Sequence, residues 1–292
     1  MGNEFACGPW RVEYRPDDGG RLSRIAYRGY DLLTTEPAHF SPPSTDYGPY
    51  ERRPVFGYDD CFPSVGACYY PGTRLYIPDH GELCWLKWDV QPEPSSLTFS
   101  VHSDILPLQF RRRMDFTDSS ITWGFEVLNE GKSPHPFQHS MHPLLNLEEI
   151  AWIGSPAFQS AYDWKRRQIM KEANPDKVCE LLLGRPKGST EMLFLRNVEV
   201  GEISWSYTNN IRVKMTFPVE YFPTIGIWWN NMGYPDEEGI RRSECAFEPT
   251  AGFTSILSQA HASGNCLTVE GGKRFAWQVR WEIGSREERR ST

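Results

Sequence analysis

Three stretches of this chain place titratable side chains among prolines and aromatics: Phe56 to Trp88, His135 to Leu147, and Thr224 to Phe253. The first holds Tyr58-Asp59-Asp60-Cys61-Phe62-Pro63, then Pro78-Asp79-His80-Gly81-Glu82, then Trp85 and Trp88. A histidine immediately before a glycine marks a turn, so His80 reads either as a group presented to a ligand or as a surface cap on local backbone. The second stretch runs Pro136-Phe137-Gln138-His139-Ser140-Met141-His142-Pro143-Leu144-Leu145-Asn146-Leu147 and, with His135, carries three of the seven histidines. Zinc is one use for three imidazoles. Against it, no carboxylate or cysteine stands at ligand spacing within the stretch, Pro136 and Pro143 disfavour a helix, and on a strand His139 and His142 point to opposite faces. One histidine entering a cleft while the others hydrogen-bond locally is the simpler expectation. The third stretch contains Trp228-Trp229-Asn230-Asn231 and Glu244-Cys245-Ala246-Phe247-Glu248-Pro249. Glu248 ends an apolar run, where a glutamate commonly just faces water. Trp228 and Trp229 point to opposite sheet faces if extended, so one of them is free to pack on a ligand.

A carboxylate and an imidazole can act as a base and acid pair if both come within roughly 2.6–3.2 Å of one small ligand. Opposite charges across a cleft keep each other ionised near neutral pH, and a histidine needs only a modest upward shift from about 6.5 to serve as the acid. The arginine runs Arg111-Arg112-Arg113 and Arg241-Arg242 could clamp a phosphate, although such runs commonly lie on solvated faces.

The elements that must position these groups are strands. Phe275, Trp277, Val279, Trp281 and Ile283 alternate with Ala276, Gln278, Arg280 and Glu282, the period of a half-buried strand. Leu97-Phe99-Val101, Ile121-Trp123-Phe125-Val127 and Ile211-Val213-Met215-Phe217 repeat it. Asp17-Asp18-Gly19-Gly20, Asn129-Glu130-Gly131 and Gly271-Gly272 supply turn chemistry between such runs, which implies hairpins and antiparallel sheets. No stretch shows an apolar stripe of helical period; Asp163 to Glu172 could form a short exposed helix before Pro175. The irregular region from Thr34 to about Asp59, with Pro37, Pro42, Pro43, Pro49 and Pro54, is either functional or an interdomain linker. The similar strands on both sides favour the first, and a single domain over residues 1–292 is expected.

Composition narrows the partners. With 39% hydrophobic residues, including 11 Trp, 13 Tyr and 16 Phe, the 292-residue chain can fill a large core. A formal net charge of -7 argues against nucleic acid or an anionic membrane and is compatible with a small neutral ligand. Seven cysteines, Cys7, Cys61, Cys68, Cys84, Cys179, Cys245 and Cys266, form no CxxC pair and read as reduced packing thiols. Met1-Gly2-Asn3-Glu4-Phe5 opens no secretory leader, Ala6 stands where a myristoylation signal needs Ser or Thr, and no run approaches a membrane span, so a cytoplasmic location is expected. No phosphate-cradling glycine loop or metal motif is present, and no cofactor is expected.

Taken in order, Gly19-Gly20-Arg21-Leu22-Ser23-Arg24-Ile25, Pro78-Asp79-His80-Gly81-Glu82, Met141-His142-Pro143-Leu144-Leu145-Asn146-Leu147 and Phe247-Glu248-Pro249 resemble the motifs of the aldose 1-epimerase (galactose mutarotase-like) family over about Pro9 to Ile283. The resemblance implies an all-β supersandwich whose concave face binds a free aldose and interconverts its anomers without a cofactor, as a monomer or homodimer. It makes Glu248 the base at the anomeric hydroxyl, His142 the acid at the ring oxygen, and His80 a holder of sugar oxygens or a helper of the acid. Arg74 (or Arg52 or Arg53), Asp60, Tyr58 and Trp228 are the candidate substrate-binding residues, and Phe62 a further aromatic one. Met141 stands where many relatives carry Asn, and a sugar-binding aspartate expected after that motif has no clear counterpart, so the sugar is left open. Two alternatives share the fold, a carbohydrate-binding or regulatory protein without turnover and a hexose-6-phosphate mutarotase. A third, a metal-dependent or cupin-like enzyme using His135, His139 and His142, does not.

Overall fold

A computed structural model describes residues 3–285; Met1 and Gly2, on which the amino-terminal reading partly rests, and residues 286–292 lie outside the described residues. Three antiparallel sheets make up the body. The largest has eight strands in the order Ile150–Gly154, Glu202–Tyr207, Ile211–Thr216, Arg274–Ser285, Ser120–Asn129, Leu108–Phe116, Ser96–His102 and Asp89–Glu93. Facing it is a six-stranded sheet ordered Asn3–Cys7, Trp10–Arg15, Arg21–Tyr27, Tyr58–Cys61 and Ser140–Pro143, with Tyr30–Asp31 paired to Arg21–Tyr27. Another six-stranded sheet runs Leu145–Asn146, Ser243–Thr250, Thr224–Asn231, Ser189–Val198, Phe158–Asp163 and Gln168–Ile169.

The expected alternation builds these strands. In Arg274–Ser285, Trp277, Val279, Trp281 and Ile283 are buried while Ala276, Gln278, Arg280 and Glu282 face water. Buried aromatics pack across the sandwich: Trp205 on Phe247 at 5.1 Å between ring centroids, Tyr58 on Trp123 at 4.9 Å, and Phe62 on Phe110 at 5.2 Å. Such offset and tilted pairs add to area burial by about 0.5–1.5 kcal/mol each. One hydrophobic cluster runs from Phe5 to Ile283 and takes residues from all three sheets.

Two expectations are corrected by the same physics. Asp163 to Glu172 is not a helix but the end of strand Phe158–Asp163, a turn, and the short strand Gln168–Ile169, because Asp163 Oδ1 accepts from the Arg166 amide at 2.8 Å and closes the turn. Arg111-Arg112-Arg113 is not a solvated run, since period two sends its central member inward. Arg112 is fully buried, paired with Asp60, donating to Gly20 O at 2.6 Å and lying 4.2 Å over the Phe99 ring.

The two six-stranded sheets meet where the chain leaves Ser140–Pro143 for Leu145–Asn146, which pairs Leu145 with Cys245 and Asn146 with Glu244. That seam brings distant segments side by side. The proline-rich loop, which carries the short helix Gly48–Glu51, folds against it.

Candidate active site

Each reactive side chain reaches the seam for a local reason. Strand Tyr58–Cys61 pairs with Ser140–Pro143 so that Asp59 lies opposite His142. Alternation then separates the strand's polar residues. Asp59 turns towards the seam, where its Oδ1 lies 2.9 Å from His142 Nδ1. Asp60 turns the other way, into the sandwich, where it accepts from Arg112, from Tyr58 Oη at 2.6 Å and from His139 Nε2 at 3.0 Å. Glu248 arrives from strand Ser243–Thr250, with Oε1 at 3.9 Å from His142 Nε2.

His80 sits on a turn with φ of 63°, followed by Gly81 at 74°. A Cβ on Gly81 would stand 2.0 Å from Phe62 O, so only glycine lets the two backbones touch and the turn form. The His80 amide donates to Val65 O at 2.7 Å and that of Glu82 to Phe62 O at 2.9 Å. The Glu82 carboxylate, buried beneath, accepts from Ser103 Oγ and from the Asp104 amide at 3.0 Å. The His80 ring lies flat on Tyr50, 3.6 Å between centroids and 8° between planes, and 5.0 Å from the His142 ring. Tyr50 Oη donates to Asp59 Oδ2 at 3.0 Å, tying the proline-rich loop to the pair.

Electrostatics set the states of the pair. Burial disfavours the His142 cation, but the Asp59 hydrogen bond and the charges of Asp59, Glu248 and Glu244 outweigh it and hold the imidazolium up at about 9. Burial alone would raise Asp59; His142, Arg21 and Arg53 instead hold it well below the usual carboxylate range. Burial pushes Glu248 above the ordinary value, with His142 and His80 pulling it back and Asp59 adding to the rise. The result is an imidazolium charged at neutral pH beside a carboxylate strengthened as a base. Burial alone would raise Asp79, but His80, whose Nδ1 lies 3.1 Å from Asp79 Oδ2, holds that carboxyl below its ordinary value.

Tyr50, Asp79, His80, His142 and Glu248 line a cleft of about 380 Å³, within the range of small-molecule sites. Trp228 forms an apolar wall, its Nε1 donating to Glu244 at 3.2 Å and its ring edge-on to Tyr234. Glu51, Asp79, Glu244 and Glu248 all line the cleft, against Arg242 and Lys165. Arg242 is already engaged: Nη1 donates to Glu51 at 2.6 Å and Nε to Glu244 at 3.0 Å.

The structure therefore brings His80, His142, Glu248 and Trp228 into one cleft. It does not bring Asp60, Tyr58, Phe62 or Arg74 there. Asp60 and Tyr58 face the core by alternation, and Phe62 packs among Phe110 and Phe137. Arg74 is exposed on the hairpin that pairs Cys68–Tyr69 with Tyr76–Ile77, Arg52 is exposed, and Arg53 pairs with Asp18; none of the three lines the cleft. His135 and His139 are held elsewhere, His135 by Tyr70 Oη at 2.9 Å and His139 by Asp60, so they form no triad with His142. Residues not anticipated are Tyr50 and Glu51 from the proline-rich loop, and Asp59, Asp79 and Glu244; Arg242, expected only as half of a possible phosphate clamp, lines the cleft as a partner of Glu51 and Glu244. For Asp59 a signal existed: it is the neighbour of Asp60 on the opposite strand face.

No protein-family model matches the chain, and no curated protein matches it. Solved structures do. The Slr1438 protein from Synechocystis sp. PCC 6803 superposes with a TM-score of 0.71 at 15% identity, covering 98% of this chain and 96% of that one. A galactose mutarotase related enzyme from Lactobacillus acidophilus gives 0.67 at 15%, covering 98% of each. The GalM/aldose epimerase homologue from C. elegans gives 0.64 at 14%, covering 98% of this chain and 99% of that one. No helix among the described residues is long and apolar enough to cross a membrane. At identities this low the likeness is one of architecture, and the chain has the antiparallel β-sandwich fold of the galactose mutarotase-like and aldose 1-epimerase proteins.

Proposed function

We propose that the chain interconverts the anomers of a free, unphosphorylated aldose. The observation that carries this reading is the pair itself: Glu248 Oε1 and His142 Nε2 face each other at 3.9 Å in a cleft, with Asp59 fixing the far side of the imidazole. Glu248 takes the proton of the anomeric hydroxyl as His142 gives its Nε2 proton to the ring oxygen. The bond from C1 to the ring oxygen breaks, leaving an open-chain aldehyde and a neutral imidazole beside a carboxylic acid. Rotation about C1–C2 presents the other carbonyl face, and reclosure returns both protons to their donors. Base and acid are regenerated, and no electrons are gained or lost. General acid and base catalysis of this kind typically contributes about 10²–10⁴-fold per group. Trp228 supplies an apolar face for the sugar's C–H groups, and His80 a donor or acceptor for its hydroxyls.

The charge of the cleft argues for a neutral sugar over a hexose 6-phosphate. Four carboxylates line it against Arg242 and Lys165, and the arginine is already shared between Glu51 and Glu244. Anomer exchange followed by NMR or polarimetry on a panel of neutral aldoses and their 6-phosphates tests the reading. At least one neutral aldose should equilibrate faster with enzyme and without added metal or nucleotide. Acceleration confined to phosphates would overturn the charge argument, and sugar binding with uncatalysed rates throughout would make the cleft a receptor site.

A further inference from the structure

We propose that Cys61, His80 and His142 bind a soft divalent cation, Zn²⁺ being the common biological case, at the side of the cleft that the two histidines line, and that its occupancy switches off anomer exchange. One potential ligand atom from each residue lies within 4.8 Å of the other two. In a tetrahedral site with metal–nitrogen bonds of about 2.0–2.1 Å and metal–sulfur bonds of about 2.3 Å, ligand atoms stand roughly 3.3–3.6 Å apart, so closure needs a movement of about an ångström. Cys61 and His142 are on directly paired strands and stay put. His80 rides on a turn and can supply the movement.

Two further observations point to a cation. His142 is prepared as a ligand: its Nδ1 is bound to Asp59, which fixes the ring and leaves Nε2 towards the cleft, the carboxylate–histidine arrangement found behind metal ligands. His80 is held in a similar way, its Nδ1 lying 3.1 Å from Asp79 Oδ2. Glu248 lies outside this cluster of three, so the fourth place is left to water or a sugar hydroxyl. A thiolate with two imidazoles selects Zn²⁺ over Mg²⁺ and Ca²⁺, which prefer oxygen. On binding, the Cys61 thiol and His142 Nε2 release their protons to solvent. A metal on Nε2 occupies the lone pair that carries the catalytic proton, so the site inhibits. Only this inhibition rests on the proposed function; the coordination does not.

Co²⁺ titrated into the reduced full chain tests the site optically. One equivalent should give the intense visible bands of tetrahedral cobalt with a near-ultraviolet thiolate-to-cobalt band. Cys61→Ser should abolish the thiolate band and weaken affinity at least about tenfold, and His80→Asn, which suits the left-handed turn, should weaken it similarly with the fold kept. Zn²⁺ should stop anomer exchange in the parent, a chelator should restore it, and Cys61→Ser should need at least tenfold more Zn²⁺. A weak octahedral cobalt spectrum, or a thiolate band that survives Cys61→Ser, overturns the site. Turnover without the cobalt spectrum refutes the metal site alone; the spectrum without turnover on any sugar refutes the catalytic reading alone.

Discussion

Replacing Asp59 by Asn leaves the shape of the site and removes the charge that supports the His142 imidazolium. The lost contact is the 2.9 Å one from Asp59 Oδ1 to His142 Nδ1, in a group whose burial works against the cation. With Glu248 and Glu244 left to offset burial, the imidazole should fall from about 9 to near its ordinary value of about 6.5. A fall of that size corresponds to about 3 kcal/mol. At pH 7.5 the protonated fraction drops from nearly all to about a tenth, so exchange should slow about tenfold from protonation alone. The assay is the pH dependence of kcat for anomer exchange between pH 5 and 10 on whichever aldose turns over. The alkaline limb should move from near pH 9 to near pH 6.5, with part of the loss recovered in mild acid. Arg21 keeps Asp18 and Phe56 O as partners, so the fold should tolerate the change. An alkaline limb that stays near pH 9 would refute the claim that Asp59 sets the acid.

Two other outcomes follow from the same geometry. Because the folded pKa of His142 is raised to about 9 above an unfolded value of about 6.5, its contribution is complete below pH 6.5 and lost as pH rises through 9. Urea unfolding should show up to about 3 kcal/mol less stability at pH 9.5 than at pH 6.5 from this group, and His142→Asn should lose that component. Gly81→Ala forces a Cβ against Phe62 O at a φ of 74°. It should cost about 1–3 kcal/mol of stability from backbone strain and lower kcat by displacing His80; an unchanged urea midpoint and kcat would show that the turn gives way freely.

Strand architecture was legible because alternation is local: Phe275 to Ile283 needs no distant partner to be read. His80, His142 and Glu248 were legible as an ordered set, and Trp228 because its neighbour Trp229 had to take the opposite face. Alternation alone does not say which face is the cleft. By alternation, Asp60 and Tyr58 are as good cleft candidates as Asp59, and Arg112 at its core position reads like any solvated charge. Choosing the face takes the pairing of Tyr58–Cys61 with Ser140–Pro143, a contact across some eighty residues. Tyr50 and Glu51 were beyond reach for a related reason: their place in the cleft depends on Asp59, His80 and Arg242, none of which a proline-rich loop announces. Arg74 failed on exposure, and Arg242 was visible only as half of a doublet, its two glutamate partners lying far away or hidden by alternation.

The most direct test of the acid–base account is anomer exchange by NMR in the parent, Glu248→Gln, His142→Asn and the double variant, with sugar affinity measured on the same samples. Glu248→Gln keeps a hydrogen-bonding side chain at the anomeric oxygen but cannot accept the proton. A fall in kcat of about 10²–10⁴ with affinity changed far less is expected for each single variant. The double variant should lose much less than the product of the two, because base and acid act in one proton-transfer sequence. Full turnover in Glu248→Gln, or losses that multiply in the double variant, would contradict the account.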